Sequence, residues 1–263
     1  MRSSIYLLVF TVFSVAASKY ATAAPTHRVI LVGDSTMAPR SGYGDALCAR
    51  FRPDVDCVNL AKGGRSSKSY RAEGSWTTVQ LLLMKRPTDL QYVLIQFGHN
   101  DQPGKGERST TLSEYSANLG RYVDEVRRAG AQPILISPLT RRQFSRGKVI
   151  RNLEEWAQAA RAVAAAEKVP LLDLYRDSVQ AVERMGSPDA NTLAQAPPPA
   201  VVTAASLTGT TVEAPKREQA DPVAPVFDYT HLGKKGAQFF ATMVSRELKA
   251  AAPELGSLLR GSK

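Results

Sequence analysis

Five short apolar runs, each followed by a stretch with helical spacing, constrain this chain more than any other feature. The runs are His27 to Val32, Val55 to Leu60, Tyr92 to Gln96, Pro133 to Ser137 and Pro170 to Leu174. They are continuous rather than alternating in polarity, as strands covered on both faces are. Between them, Gly44 to Phe51, the stretch carrying Val79, Leu82 and Leu83, Thr111 to Ala129, Asn152 to Lys168 and a segment reaching about Met185 read as helices. Ser75 or Thr77 and Asn152 read as caps, Thr111-Leu112-Ser113-Glu114 as a capping box, and Gly130 as a helix end. A last helix from Gly233 onward carries Ala237, Phe240, Val244 and Leu248. Such alternation predicts an α/β fold, a parallel sheet between two helical layers with right-handed crossovers. The 263 residues suffice for one such domain.

Two stretches fall outside this rhythm. Met1 to Ser4 is a short basic start, Ile5 to Ala17 is almost wholly apolar, and Ala21-Thr22-Ala23 is a small-x-small site. That layout is a secretory signal with cleavage after Ala23, leaving 24–263 as a single exported domain, periplasmic or extracellular. The apolar run is shorter than the ~20 residues a bilayer-spanning helix needs, so no stable membrane insertion is expected. Ser187 to Pro225, rich in Pro, Ala and Thr, reads as a flexible insertion or, alternatively, a lid. Export permits a disulfide between Cys48 and Cys57, with two buried free thiols as the alternative.

The formal charge of +10 suits an acidic polysaccharide, nucleic acid or an anionic membrane, and export disfavours nucleic acid. Basic residues also solvate helix faces, so charge alone discriminates weakly. A monomer is expected.

Gly33-Asp34-Ser35-Thr36 directly follows the first run. A serine at the C-terminal end of a parallel strand stands where open α/β sheets keep their ligand sites. Taken alone it is equally a capped turn. A serine nucleophile needs a base, and the chain has three histidines. His27 lies at the new N-terminus, His99 in a loop after the third run, and His231 three residues after Asp228. At that spacing Asp228 can reach one ring nitrogen of His231 and leave the other free, as a Ser-His-Asp system demands. Oxyanion donors are available in the Ser35 N–H, the Gly64 N–H and the Asn100 side chain, all just after strand ends.

Gly33-Asp34-Ser35-Thr36, Gly64, Gly98-His99-Asn100-Asp101 and Asp228-x-x-His231 resemble the four sequence blocks of the SGNH (GDSL-like) hydrolases, in their order and over roughly residues 27 to 250. Gly64 to Ser69 and Phe97 to Asp101 resemble the rhamnogalacturonan acetylesterase branch more closely than the lipase-like ones. The resemblance implies a three-layer α/β/α, flavodoxin-like fold with a five-stranded parallel sheet. It implies ester hydrolysis without metal or other cofactor. It further implies nucleophile Ser35, base His231, its partner Asp228, and oxyanion donors Ser35, Gly64 and Asn100. The branch implies removal of acetyl groups from a plant cell-wall polysaccharide. Gly-Asp-Ser-Thr in place of Gly-Asp-Ser-Leu and the 187–225 insertion depart from the pattern.

His99 either meets substrate or holds the loop that presents Asn100. Arg65 and Lys68, beside Gly64, either receive the carboxylates of a galacturonate-containing chain or form a solvated loop. Other readings of the same residues are an acetylxylan or other carbohydrate O-acetylesterase, a lipase or thioesterase, a carbohydrate O-acetyltransferase, and an inactive glycan-binding protein.

Overall fold

The structure is a computed structural model that describes residues 27–85, 90–213 and 225–261. The expected leader and its cleavage site lie outside the described residues, as does 214–224 of the insertion. The chain runs β1 (His27–Gly33), α1 (Gly44–Cys48), β2 (Val55–Asn59), α2 (Ser69–Ala72), α3 (Ser75–Met84), β3 (Gln91–Gln96), α4 (Leu112–Arg128) and β4 (Gln132–Ile136). It continues through β5 (Phe144–Ser145), β6 (Lys148–Val149), α5 (Glu154–Glu167), β7 (Leu171–Leu172), α6 (Leu174–Met185), α7 (Ser187–Asn191), α8 (Ala200–Ser206), α9 (Lys234–Ala251) and α10 (Pro253–Gly256).

The main sheet has five parallel strands in the order β2-β1-β3-β4-β7. β1 sits beside β3 with Ile30 opposite Val93 and Gly33 opposite Gln96. Successive side chains of a strand face opposite sides, and the two cores divide accordingly. Val29, Leu31, Tyr92, Leu94, Ile134 and Ile136 pack with α1, α6 and α9 through Leu47, Val179, Val182, Phe240 and Val244. Ile30, Val32, Val93, Ile95 and Leu135 pack on the other face with α3, α4 and α5 through Trp76, Val79, Leu119, Val123 and Ala160. This is the three-layer fold expected. Among the described residues no helix is long and apolar enough to cross a membrane.

Local chemistry explains where the elements start and stop. Thr111 Oγ1 accepts from the Glu114 N–H at 3.1 Å while Glu114 Oε2 accepts from the Thr111 N–H at 2.7 Å, a complete capping box at the start of α4. α3 begins at Ser75, but its cap is Gly74, because the Ser75 hydroxyl is bound to Glu73 instead. Asn152 does not cap α5: the helix starts after Leu153, and the Asn152 amide is held by Gln143 and Arg141. β7 is only two residues long because Ser137 Oγ accepts the Tyr175 N–H at 2.9 Å and turns the chain directly into α6. Cys48 and Cys57 form a disulfide with Cα atoms 5.3 Å apart, tying α1 to β2.

The segment from residue 187 departs from the flexible insertion expected. Its described part contains α7 and α8, and Val202 is buried with Phe227 and Tyr229 in a small cluster of its own. Its alanines favour helix, and Ala190 and Leu193 reach the main core.

Candidate functional site

The site forms where β1 and β3 end. Gly33 leaves β1 beside Gln96, and a Cβ there would stand 2.6 Å from the Gln96 carbonyl oxygen, so only glycine allows this exit. Asp34 then turns the chain. Its Oδ1 accepts the Thr36 N–H at 2.9 Å and the Thr36 hydroxyl at 2.8 Å, and its carbonyl accepts from Met37 and Ala38. Burial raises the Asp34 carboxyl, with the Thr36 bonds and the His99 amide opposing it. Gln96 and Tyr43 complete a buried chain of hydrogen bonds behind Thr36. On this rigid turn sits Ser35, 7% exposed.

His231 comes from the other end of the chain, just before α9. Its Nε2 lies 2.9 Å from Ser35 Oγ and its Nδ1 lies 2.7 Å from Asp228 Oδ2. Asp228 Oδ1 accepts the N–H groups of Thr230 at 2.6 Å and His231 at 2.7 Å. Burial pushes the Asp228 carboxyl up, but the His231 imidazole and these N–H donors outweigh it and hold it at about 2. An ionised Asp228 is an acceptor only, so Nδ1 carries the proton and Nε2 is left to accept from the Ser35 hydroxyl. The two loops are also stitched directly. The Leu232 N–H donates to the Ser41 carbonyl at 2.8 Å, and Ser41 Oγ donates to the Ser35 carbonyl at 2.7 Å.

Gly64 and Asn100 lie on the loops after β2 and β3, and the first of these loops meets Ser35 at Gly63, where an added Cβ would stand 3.7 Å from that of Ser35. The loop after β2 is drawn in by the Lys62 N–H on the Gly33 carbonyl at 2.9 Å. Gly64 has φ +77, a left-handed conformation that glycine adopts without cost. Asn100 Nδ2 donates one hydrogen to the Arg65 carbonyl at 3.0 Å, which leaves its second hydrogen available. Asp101, behind Asn100, accepts the Ser67 hydroxyl at 2.6 Å and the Ser67 N–H at 3.1 Å, locking the two loops together. Tyr122 OH closes the same joint on the Ser67 carbonyl at 2.9 Å.

The remaining expected residues sit differently. His99 is buried, and its Nε2–H donates to the Leu139 carbonyl at 2.8 Å. Burial and the nearby Arg141 charge hold the ring well below its ordinary pKa, so it is neutral. This geometry fits the loop-holding alternative and offers no ring edge to a substrate. The Arg65 guanidinium is occupied by Glu73 at 2.8 Å and by the Gly63 carbonyl at 2.7 Å. Lys68 is exposed at the start of α2.

A cleft of about 820 Å³, open to solvent, is lined by Arg40, Ser41, Lys62, Gly63, Arg65 and Gln195 and by none of Ser35, Gly64, Asn100, Asp228 and His231. It adjoins the site through Gly63, where an added Cβ would stand 3.7 Å from that of Ser35. A separate groove of about 670 Å³ between α6 and α9 contains none of the site residues. Among the described residues no three His, Cys, Asp or Glu side chains group as a metal site requires.

Sequence reasoning missed Arg40, Gln195, Arg108 and Arg142. Arg108 reaches the Gly64 carbonyl, and Arg142 reaches the backbone of the Asp228–His231 turn. Arginines in polar loops carry no sequence signal that separates such roles from solvation.

A hydroxyl, an imidazole and a carboxylate in hydrogen-bonded series can carry out acyl transfer. The model of the GDSL-like lipase/acylhydrolase family matches residues 31–239, a span that includes Ser35, Gly64, Asn100, Asp228 and His231. The chain belongs to that family. It is a carboxylic ester hydrolase. It is 29% identical to rhamnogalacturonan acetylesterase RhgT of Bacillus subtilis (strain 168), over 89% of this chain and 92% of that protein. Among solved structures, it resembles a Bacillus subtilis protein with a TM-score of 0.62 and 22% identity, covering 86% of this chain but only 57% of that one. It also resembles Axe2, an acetylxylan esterase from Geobacillus stearothermophilus, with a TM-score of 0.55 and 17% identity over 86% of this chain and 95% of that one. The two structures share the fold.

Proposed function

We propose that the chain is a serine acetylesterase that removes O-acetyl groups from a pectic polysaccharide, rhamnogalacturonan. One observation carries the mechanism: Ser35 Oγ, the His231 ring and the Asp228 carboxylate form an unbroken hydrogen-bonded series, with links of 2.9 and 2.7 Å. Ser35 Oγ attacks the acetyl carbonyl while His231 Nε2 takes its proton. Asp228 holds the ring in the required tautomer and stabilises the imidazolium. The N–H groups of Ser35 and Gly64 and the free Asn100 amide hydrogen receive the tetrahedral oxyanion. His231 then protonates the departing sugar hydroxyl, and water repeats the sequence on the acetyl-enzyme.

The substrate assignment is supported by the likeness to RhgT along nearly the whole chain and by a cation of the cleft. Arg40 lines the space beside Gly63, where the uronate carboxylates of a pectic chain would pass, while the Lys62 ammonium on the same space is held by Ser75 at 2.8 Å. Export is supported by the Cys48–Cys57 disulfide, which an oxidising compartment maintains.

The test is acetate release from acetylated rhamnogalacturonan, acetylxylan and an aryl acetate, with Ser35→Ala as blank. Release is expected to be fastest from rhamnogalacturonan and lost in the variant. A preference for acetylxylan would transfer the enzyme to another glycan, and undiminished release by Ser35→Ala would remove the mechanism.

A further inference from the structure

Arg142, in the loop between β4 and β5, is among the largest side chains without solvent exposure. A buried guanidinium is costly unless its donors are satisfied. Among the described residues it forms no ion pair; its partners are backbone carbonyls. Nη2 donates to the carbonyls of Asp228 at 2.8 Å and His231 at 2.9 Å, and Nη1 to that of Thr230 at 3.2 Å. The backbone N–H of Arg142 donates to the carbonyl of Tyr229 at 2.8 Å. Four successive carbonyls, from Asp228 to His231, therefore accept from one residue.

The turn is thus gripped from two sides. Its N–H groups are bound by the Asp228 carboxylate and its carbonyls by Arg142. Without the guanidinium, three part-buried carbonyls lose their donor, and the turn must move to find water or other partners. Lysine is no substitute, because an ammonium is a compact point donor and not a planar fork that spans carbonyls on several residues.

We propose that Arg142 is a positioning residue: it never meets substrate, and it holds the Asp228–His231 turn where Nε2 reaches Ser35 Oγ. This rests on the Ser35–His231–Asp228 reading of the site. A displacement of about 1 Å in such a pair costs on the order of 10² in rate. The effect falls on kcat and leaves KM alone, because Arg40, Lys62 and Gly63 line the cleft from other loops.

The experiment compares Arg142→Ala, Arg142→Lys and His231→Ala in the full chain, using p-nitrophenyl acetate so that the polysaccharide assignment is not involved. The readouts are kcat, KM, the rate of Ser35 labelling by a fluorophosphonate, and folding by near-UV circular dichroism. The expected result is a loss of about 10² in kcat and in labelling for both Arg142 variants, with KM within about twofold. Added guanidinium ion at low millimolar concentration should recover about tenfold in Arg142→Ala and nothing in His231→Ala. Folded Arg142 variants within about threefold of the parent enzyme overturn the proposal. So does a loss that guanidinium does not relieve, or a failure of both variants to fold, since Arg142 would then be a scaffold residue. A parent-like His231→Ala would instead sink the catalytic reading beneath it.

Discussion

Arg108 Nη1 donates to the Gly64 carbonyl at 3.0 Å and stands 3.5 Å from Asn100 Oδ1. One guanidinium thus spans the two loops that supply the proposed oxyanion donors. Asn100→Ala is expected to lower kcat by on the order of 10²–10³, and Arg108→Ala by about tenfold, both with little change in KM for an aryl acetate. The double variant should lose less than the product of the two single losses, because part of the Arg108 effect runs through Asn100 and only the part through Gly64 remains. Additive losses in that cycle would show that Arg108 acts independently.

Asp101 makes stability depend on pH. Burial pushes its carboxyl up to about 6, against the hydrogen bonds from Ser67 and with the Asp34 charge adding to the rise. Between the unfolded value near 4 and the folded value, the folded chain binds a proton that the unfolded chain has released. The stability Asp101 contributes is therefore fully present below pH about 4 and lost as pH rises through about 6. Asp101→Asn stays neutral, so its stability relative to the parent should improve by roughly 2–3 kcal/mol between pH 4 and 7. Urea unfolding at both pH values measures this, and a constant difference would mean an unperturbed carboxyl.

The Cys48–Cys57 disulfide closes a loop of sequence separation 9 on the face of the sheet covered by α1, α6 and α9. Replacing both cysteines by serine should cost about 2–3 kcal/mol, from the added freedom of the unfolded chain. Thermal unfolding registers the loss, while kcat at 25 °C should be unchanged; a fall in kcat would reveal coupling between α1 and the nucleophile turn.

Arg40 replaces Arg65 as the residue expected to meet a uronate. Its backbone has φ +67 and its carbonyl accepts from Gln195 Nε2 at 2.8 Å, while its side chain has no partner among the described residues. Arg40→Ala should raise KM about three- to fivefold on an acetylated acidic oligosaccharide and leave it unchanged on an aryl acetate. Arg65→Ala should do less, since Glu73 already holds that guanidinium. Equal effects on both substrates would count against a carboxylate contact.

The central strands were legible because burial on both faces writes β1 and β3 as unbroken apolar runs. Ser35, Asp228 and His231 were legible as motifs set at strand ends and a helix entry. Asn152 misled because its capping chemistry is captured by Gln143 and Arg141, 9 and 11 residues away. The helices at 187–206 were hidden by proline content, since their burial depends on distant partners that the local composition does not reveal: Phe227 and Tyr229 for Val202, and the main core for Ala190. Arg108 and Arg142 are the sharpest case: whether a loop arginine is solvated or grips a backbone is decided wholly by what folds over it.

Ser35 and His231 are 196 positions apart, yet they share one hydrogen bond. A ribosome delivers the hydroxyl early and the imidazole near the end, so under the proposed mechanism no partly synthesised chain could cleave an ester. Proteolytic loss of the last helices together with the turn before them would take Asp228 and His231 away from Ser35 and also uncover the sheet face on which Phe240, Val244 and Leu248 are buried.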